Sequence, residues 1–250
     1  MTSFLLAWQF LTILPGGKKD VDISPRDLGR SMSYYPLVGF LIGVILWGAY
    51  WLFSHVFPRT LCDGLVILLL AVVTGALHLD GLADTLDGMA AGKSAEERLR
   101  IMRDHRVGTF GAVGLILILG IKFLALNSLP EEIIGKTLLV ALALSRWSMV
   151  QLTYRAPYAR PEGGLGRAFK ENVKKREIAL ATGFSLIAAV LLLRFWGAVL
   201  WLAVGVSALG IQLLFQKKIG GITGDILGAA NETHEVLVLL MVSGIFHGFF

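Results

Sequence analysis

Three aspartates in one short motif, HLDGLADTLDG at residues 78–88, are the side chains of this sequence best placed to do chemistry. Asp80, Asp84 and Asp87 stand at i, i+4 and i+7, so a helix through them turns all three to within about 40° of one another. None has a basic neighbour in the motif. Three like charges on one face repel, and an unpaired aspartate at membrane depth costs about 2.5–3.5 kcal/mol on insertion scales. The cluster therefore calls for compensation by a cation or by water. Mg2+ fits best, because it is a hard ion that takes oxygen ligands and commonly bridges a few carboxylates to substrate phosphates. No His/Cys constellation argues for zinc. Gly81 and Gly88 leave the same region open to a ligand or another helix.

A second acidic segment, GDILGAANETHE at residues 224–235, repeats the pattern. Asp225 and Glu232 are seven apart and Glu235 lies ten beyond Asp225, so a helix would present acid on one side. Gly220, Gly221, Thr223 and Gly224 precede it, offering backbone amides and a hydroxyl at a helix start as a phosphate cradle. Cations that could complete a phosphate site are Arg146, which lies inside an apolar stretch and is expected to face a polar cavity, and His105 with Arg106, which follow Asp104. His78 opens the first motif.

These residues have to be carried by membrane helices. The 250-residue chain is 55% hydrophobic and only 16% charged, with a mean hydropathy of +0.70. That is too apolar for an ordinary soluble domain. Seven apolar stretches approach the length of a span: residues 37–57, 64–79, 107–129, 133–152, 178–193, 195–215 and 236–250. The expected architecture is all-α, a polytopic helix bundle of about seven transmembrane helices forming one domain over residues 1–250. The first segment lacks a basic n-region and a cleavage site and is cut short by Pro15, so it reads as a short interfacial or re-entrant helix. The lone Cys62 supports neither a disulfide nor a zinc site. With the N-terminus inside, 18 of the 23 Lys and Arg residues fall in inside segments, satisfying the positive-inside rule. Both acidic motifs and the DHRVG segment at 104–108 then share the cytoplasmic face.

Taken together, HLDGLADTLDG, FLTILP, YPLVGFLIG at 35–43, KSAEERLRIMRDHRVGTFG, SRW at 145–147, YARPEGGLG at 158–166 and GGITGDILGAANETHE resemble the cobalamin synthase, or adenosylcobinamide-GDP ribazoletransferase, family over nearly the whole chain. The aspartate motif alone resembles, more loosely, that of the CDP-alcohol phosphotransferases. The closer resemblance implies transfer of the cobinamide phosphate of adenosylcobinamide-GDP to the 3'-hydroxyl of alpha-ribazole or its 5'-phosphate, with release of GMP and with Mg2+ as cofactor. It also implies a multi-pass protein of a prokaryotic cytoplasmic membrane. Its expected partners are these small molecules and membrane lipid, with homo-oligomerisation open and no nucleic acid.

On that footing Asp80, Asp84, Asp87 and Asp225 are expected to hold one or two Mg2+ ions, and Arg146 and Arg106 to add positive charge at the transferring phosphoryl group. Glu232 or Asp104 would orient or deprotonate the acceptor hydroxyl. His78, Gly81, His105 and the Gly220, Gly221, Thr223, Gly224 run would contact substrate. Two rivals remain at this stage: a membrane phosphotransferase with a lipid acceptor, and an ion-coupled transporter. Against the transporter, the acids gather at helix ends on one side.

Overall fold

The computed structural model describes residues 2–16, 23–104, 106–160, 162 and 165–247. The chain is an all-α polytopic membrane protein. A short helix α1 (Ser3–Leu11) precedes α2 (Pro25–Ser31), which passes through a turn of 3-10 helix into α3 (Tyr35–Ser54). Then follow α4 (Arg59–Val73), α5 (Leu77–Ala91), the short α6 (Ala95–Ile101), α7 (Thr109–Asn127), α8 (Glu131–Arg155), α9 (Leu165–Asn172), α10 (Lys175–Ile219) and α11 (Gly224–Phe246).

Five helical stretches among the described residues are long and apolar enough to span a membrane, and α4 with α5, bent by 87°, makes a sixth. The 45-residue α10 is itself two antiparallel arms. Arg194 breaks it with φ 55° and ψ −131°. Trp201 Nε1 donates to Ser185 Oγ at 3.2 Å across the break, whereas sixteen residues of straight helix would separate them by about 24 Å. Counting both arms gives seven passages, the number the apolar stretches predict.

Two boundaries differ from the hydropathy reading. The second apolar stretch, 64–79, is not one continuous helix, because α4 ends at Val73. Gly75 and Ala76 both adopt left-handed backbone, at φ 59° and 55°, and the motif starts a new helix, α5. The last span begins at Gly224 rather than 236, because the acids that interrupt its hydropathy are paired inside the protein.

α8 is the axis of the bundle, with nearly all of its length buried. Gly39 and Gly43 on α3, one helical turn apart, let that helix lie directly on α8. A Cβ at Gly43 would stand 2.7 Å from the Leu139 Cα, the close approach that small residues four apart permit between membrane helices. At the end remote from the aspartates, Arg59 donates to the carbonyls of Leu126 and Asn127 at 3.2 Å each, and also to that of Leu129. These carbonyls lie at and just past the C-terminal end of α7, where the helix dipole favours a cation. Beside them, Asn127 Nδ2 donates to Asp63 at 2.8 Å.

Asp87 secures the other end of α7. Its carboxylate accepts the backbone N–H of Gly108 at 2.7 Å and of Gly111 at 2.9 Å. A Cβ on Gly108 would lie 2.6 Å from the same carboxylate, so glycine is what admits it. Replacing Asp87 with alanine should lower stability by about 1–2 kcal/mol, as loss of a helix cap does. A melting experiment in detergent would read that loss directly, and an unchanged midpoint would remove the capping role.

Candidate active site

The bend between α4 and α5 and the start of α11 bring the two acidic segments together. Gly81 faces the first turn of α11 so closely that a Cβ there would lie 2.8 Å from the Asp225 carbonyl oxygen. One turn on, a Cβ at Gly228 would lie 3.1 Å from the His78 carbonyl oxygen. Glycines on both helices thus set the acids side by side.

They open into a cavity of about 280 Å³. One wall carries His78, Asp80, Gly81, Gly224, Asp225 and Gly228, and the opposite wall is apolar and aromatic, with Phe10, Tyr35, Met149 and Phe169. The aromatic rings hold one another: Phe10 stacks on Tyr35 at 6.2 Å between centroids and meets Phe169 edge-on at 5.0 Å. A cavity with a charged wall and a flat apolar wall suits a ligand with a phosphate end and a ring end.

Sequence reasoning does not single out Arg160, yet it is the cation of this cavity. Its Nη2 donates to Asp225 Oδ2 at 2.5 Å, and Thr223 Oγ1 donates to the same oxygen at 3.2 Å. The segment bearing Arg160 is held by a backbone bridge: Ala159 N–H donates to the Ile222 carbonyl and Ile222 N–H to the Pro157 carbonyl, both at 2.9 Å. Gly221 has no side chain to obstruct that approach, since a Cβ there would overlap the Pro157 carbonyl. Tyr158, on the same segment, also lines the cavity, and burial raises its phenol above the usual value.

Of the residues expected to hold metal, Asp80 and Asp225 line the cavity, and Asp84 stands one turn beyond Asp80, within the electrostatic field of Asp80, Asp225 and Arg160. Asp80 is exposed and Asp84 half-buried. Neither carboxylate has a hydrogen bond or ion pair among the described residues. Asp87 departs from the expectation, because the orphan amides of α7 have taken both of its oxygens. Among the described residues no three acidic, histidine or cysteine side chains converge tightly enough to hold a metal by themselves. Three carboxylates against one guanidinium still leave two surplus negative charges. Such a half-built oxygen site fits Mg2+, which usually takes one or two carboxylates and completes its shell with water and substrate phosphates.

Of the residues expected to bind substrate, His78, Gly81 and Gly224 line the cavity. Both ring nitrogens of His78 are buried without a partner. The remaining glycines serve the backbone. Gly220, at φ 81°, ends α10, Gly221 admits the Pro157 segment, and the Thr223 hydroxyl caps α11 by accepting from Ile226 N–H at 3.3 Å. His105 lies outside the described residues.

The expected catalytic residues scatter. Asp104 and Arg106 pair with each other at 2.9 Å in an exposed loop, and the carboxylate raises the guanidinium's already high pKa. Neither lines the cavity. Arg146 does not line the carboxylate cavity. It is fully buried and paired with Glu235. Glu232 is buried too, accepting from Lys122 Nζ at 2.6 Å, and Lys122 also pairs with Glu235. Asn231 Nδ2 donates to Glu235 at 2.9 Å. Two bases and two acids from α7, α8 and α11 thus form a buried, charge-balanced cluster. A single buried charge at these positions would be expelled or neutralised, whereas four in contact can stay.

Comparison with known proteins identifies the company this arrangement keeps. The family model described as cobalamin-5-phosphate synthase matches residues 3–243. A protein of Geotalea daltonii named adenosylcobinamide-GDP ribazoletransferase is 39% identical over 246 residues, covering 97% of each chain. Proteins of the same name from Syntrophobacter fumaroxidans and Pseudomonas putida are each 41% identical, covering 87% and 96% of this chain and 88% and 98% of their own. No solved structure matches. With the match running from α1 through most of α11 and taking in both acidic segments, the chain belongs to the cobalamin-5-phosphate synthase family.

Proposed function

We infer that this chain carries out the transfer for which its relatives are named. The cobinamide phosphate of adenosylcobinamide-GDP passes to the 3'-hydroxyl of alpha-ribazole, or of its 5'-phosphate, forming cobalamin or its phosphate and releasing GMP. The observation that carries this reading to a place in the molecule is the cavity between α5 and α11, with surplus acid on one wall and aromatic rings on the other. Breaking a phosphoanhydride from which GMP leaves demands charge neutralisation and alignment, and little covalent chemistry from the protein.

Asp80, Asp84 and Asp225 are the residues that would hold Mg2+, with one or two ions completed by the diphosphate. Bound there, the metal would neutralise charge on the donor's phosphate oxygens and ease departure of GMP. Arg160 holds Asp225 in place and brings a fixed positive charge to the same wall, where a phosphate oxygen would be drawn. The Gly224 end of α11 adds unpaired backbone amides on the cavity side. The aromatic wall of Phe10, Tyr35 and Phe169 suits the flat base of the acceptor.

The positive-inside asymmetry supports placing this cavity at the cytoplasmic face of a prokaryotic cytoplasmic membrane, where both soluble substrates arrive. The test is direct. Purified protein in detergent, given adenosylcobinamide-GDP and alpha-ribazole, should form cobalamin and GMP in equal amounts with Mg2+ and neither after chelation. Absence of both products under every metal condition would remove the transfer reading. Equal rates with and without chelator would remove the metal alone.

A further inference from the structure

A second opening, of about 400 Å³, lies at the same end of the bundle and has no part in the carboxylate cavity. It is lined by Arg26, Arg30, Lys174 and Arg176 with Asn172 and Glu177. Glu177 is buried and its carboxylate accepts the Lys174 backbone N–H at 3.1 Å, so the one acid among the described lining residues is committed to the start of α10. The four cations are exposed and form no ion pair among the described residues. Arg30 and Arg176 also edge an adjoining depression with Ser33 and Tyr34.

Below it, α2 passes into α3, and α3 and the first arm of α10 leave a groove of about 320 Å³ lined only by apolar side chains, among them Leu37, Phe40, Phe184, Ile187 and Leu191. Phe40 and Phe184 meet edge-on across it at 5.9 Å. At 1.5 Å per residue, Phe40 lies about 9 Å along the helix from Tyr34 and Ile187 about 16 Å from Arg176. The order along the bundle is therefore a cationic mouth, a tyrosine at the boundary, then an apolar channel.

We propose that this cleft binds one anionic phospholipid, its phosphate headgroup among Arg26, Arg30, Lys174 and Arg176 and an acyl chain in the groove between α3 and α10. Charge complementarity selects this occupant. A zwitterionic lipid fills the groove and offers a phosphate, but its own ammonium cancels that charge and adds no net negative charge against four cations and one carboxylate. Free phosphate answers the cations but leaves the groove empty. A second copy of the chain meeting this face about a twofold axis would bring one cationic mouth against another.

The test uses the whole protein, stripped of lipid in neutral detergent and offered phosphatidylglycerol and phosphatidylcholine in equal amounts, with retained lipid counted by native mass spectrometry. Phosphatidylglycerol should be retained at least about tenfold in preference. Because each basic residue near an anionic surface contributes about 1 kcal/mol, the Arg30→Gln, Arg176→Gln double variant should weaken that retention about thirtyfold, roughly 2 kcal/mol. Leu191→Trp, which fills the groove without touching a charge, should weaken it as well, and excess inorganic phosphate should not displace the lipid. Equal retention of the two lipids would overturn the proposal, as would indifference to the arginine substitutions. Displacement by phosphate with a silent Leu191→Trp would identify a free-anion site instead, and dimers that exclude lipid would identify a subunit interface. Each readout is independent of turnover.

Discussion

Replacing Lys122 with methionine should destabilise the folded protein by about 3–5 kcal/mol, the usual consequence of removing one partner from a buried ion pair. Among the described residues Lys122 Nζ is the only cation paired with Glu232, and it shares Glu235 with Arg146. Its loss leaves two buried carboxylates facing one guanidinium, at a depth where water cannot replace the missing charge. The cluster joins α7, α8 and α11, so the damage should spread to the helix that carries Asp225. The effect should be reversible by balancing the charges again. Adding Glu232→Gln to Lys122→Met leaves the Arg146–Glu235 pair intact and should recover more than half of the lost stability. Thermal melting in detergent would measure both. A single variant as stable as the parent, or a double variant worse than the single, would show that charge balance is not what the cluster supplies.

The same cluster explains where sequence reading stops. Hydropathy finds seven apolar stretches and the structure gives seven passages, because span length and apolarity are local properties. It starts the last span at 236 because Glu232 and Glu235 look too costly to bury. Their partners, Lys122 and Arg146, stand about 90 to 110 residues away in sequence, and nothing in the chain announces the pairing. The i, i+4, i+7 spacing correctly predicts a shared helix for Asp80, Asp84 and Asp87, and Asp80 does line the cavity, with Asp84 one turn beyond it. It cannot reveal that the amides of Gly108 and Gly111 lie beside Asp87 and compete for it. Arg160 is hidden for another reason: the loop around it is rich in basic residues that topology alone accounts for. The signal that could have found it is its place within YARPEGGLG, two residues after a tyrosine and ahead of proline and glycines, a composition unlike that of a merely basic loop.

The second large effect is expected at Asp225. Asparagine there keeps an oxygen to accept the Arg160 hydrogen bond and the Thr223 hydroxyl, so the junction of α11 with the Pro157–Arg160 segment should survive. What disappears is the negative charge. With it gone, Arg160 cancels half of the acid left at the cavity, and the surplus that suits a divalent ion is lost. Turnover should fall on the order of a hundredfold to a thousandfold, the scale of removing one preorganised electrostatic group from a transition state. The melting midpoint should stay close to that of the parent. Equal loss of stability and turnover would instead assign Asp225 a structural role.

The account rests on carboxylates from α5 and α11 jointly attracting a divalent ion to a nucleotide diphosphate. Its most direct test is binding of Mn2+, a paramagnetic substitute for Mg2+, measured by electron paramagnetic resonance with the donor present, in the parent protein and in Asp80→Asn and Asp225→Asn. The account predicts donor-dependent binding in the parent that is weakened at least about tenfold by either substitution, one from each helix. Unchanged Mn2+ affinity in both variants would contradict it.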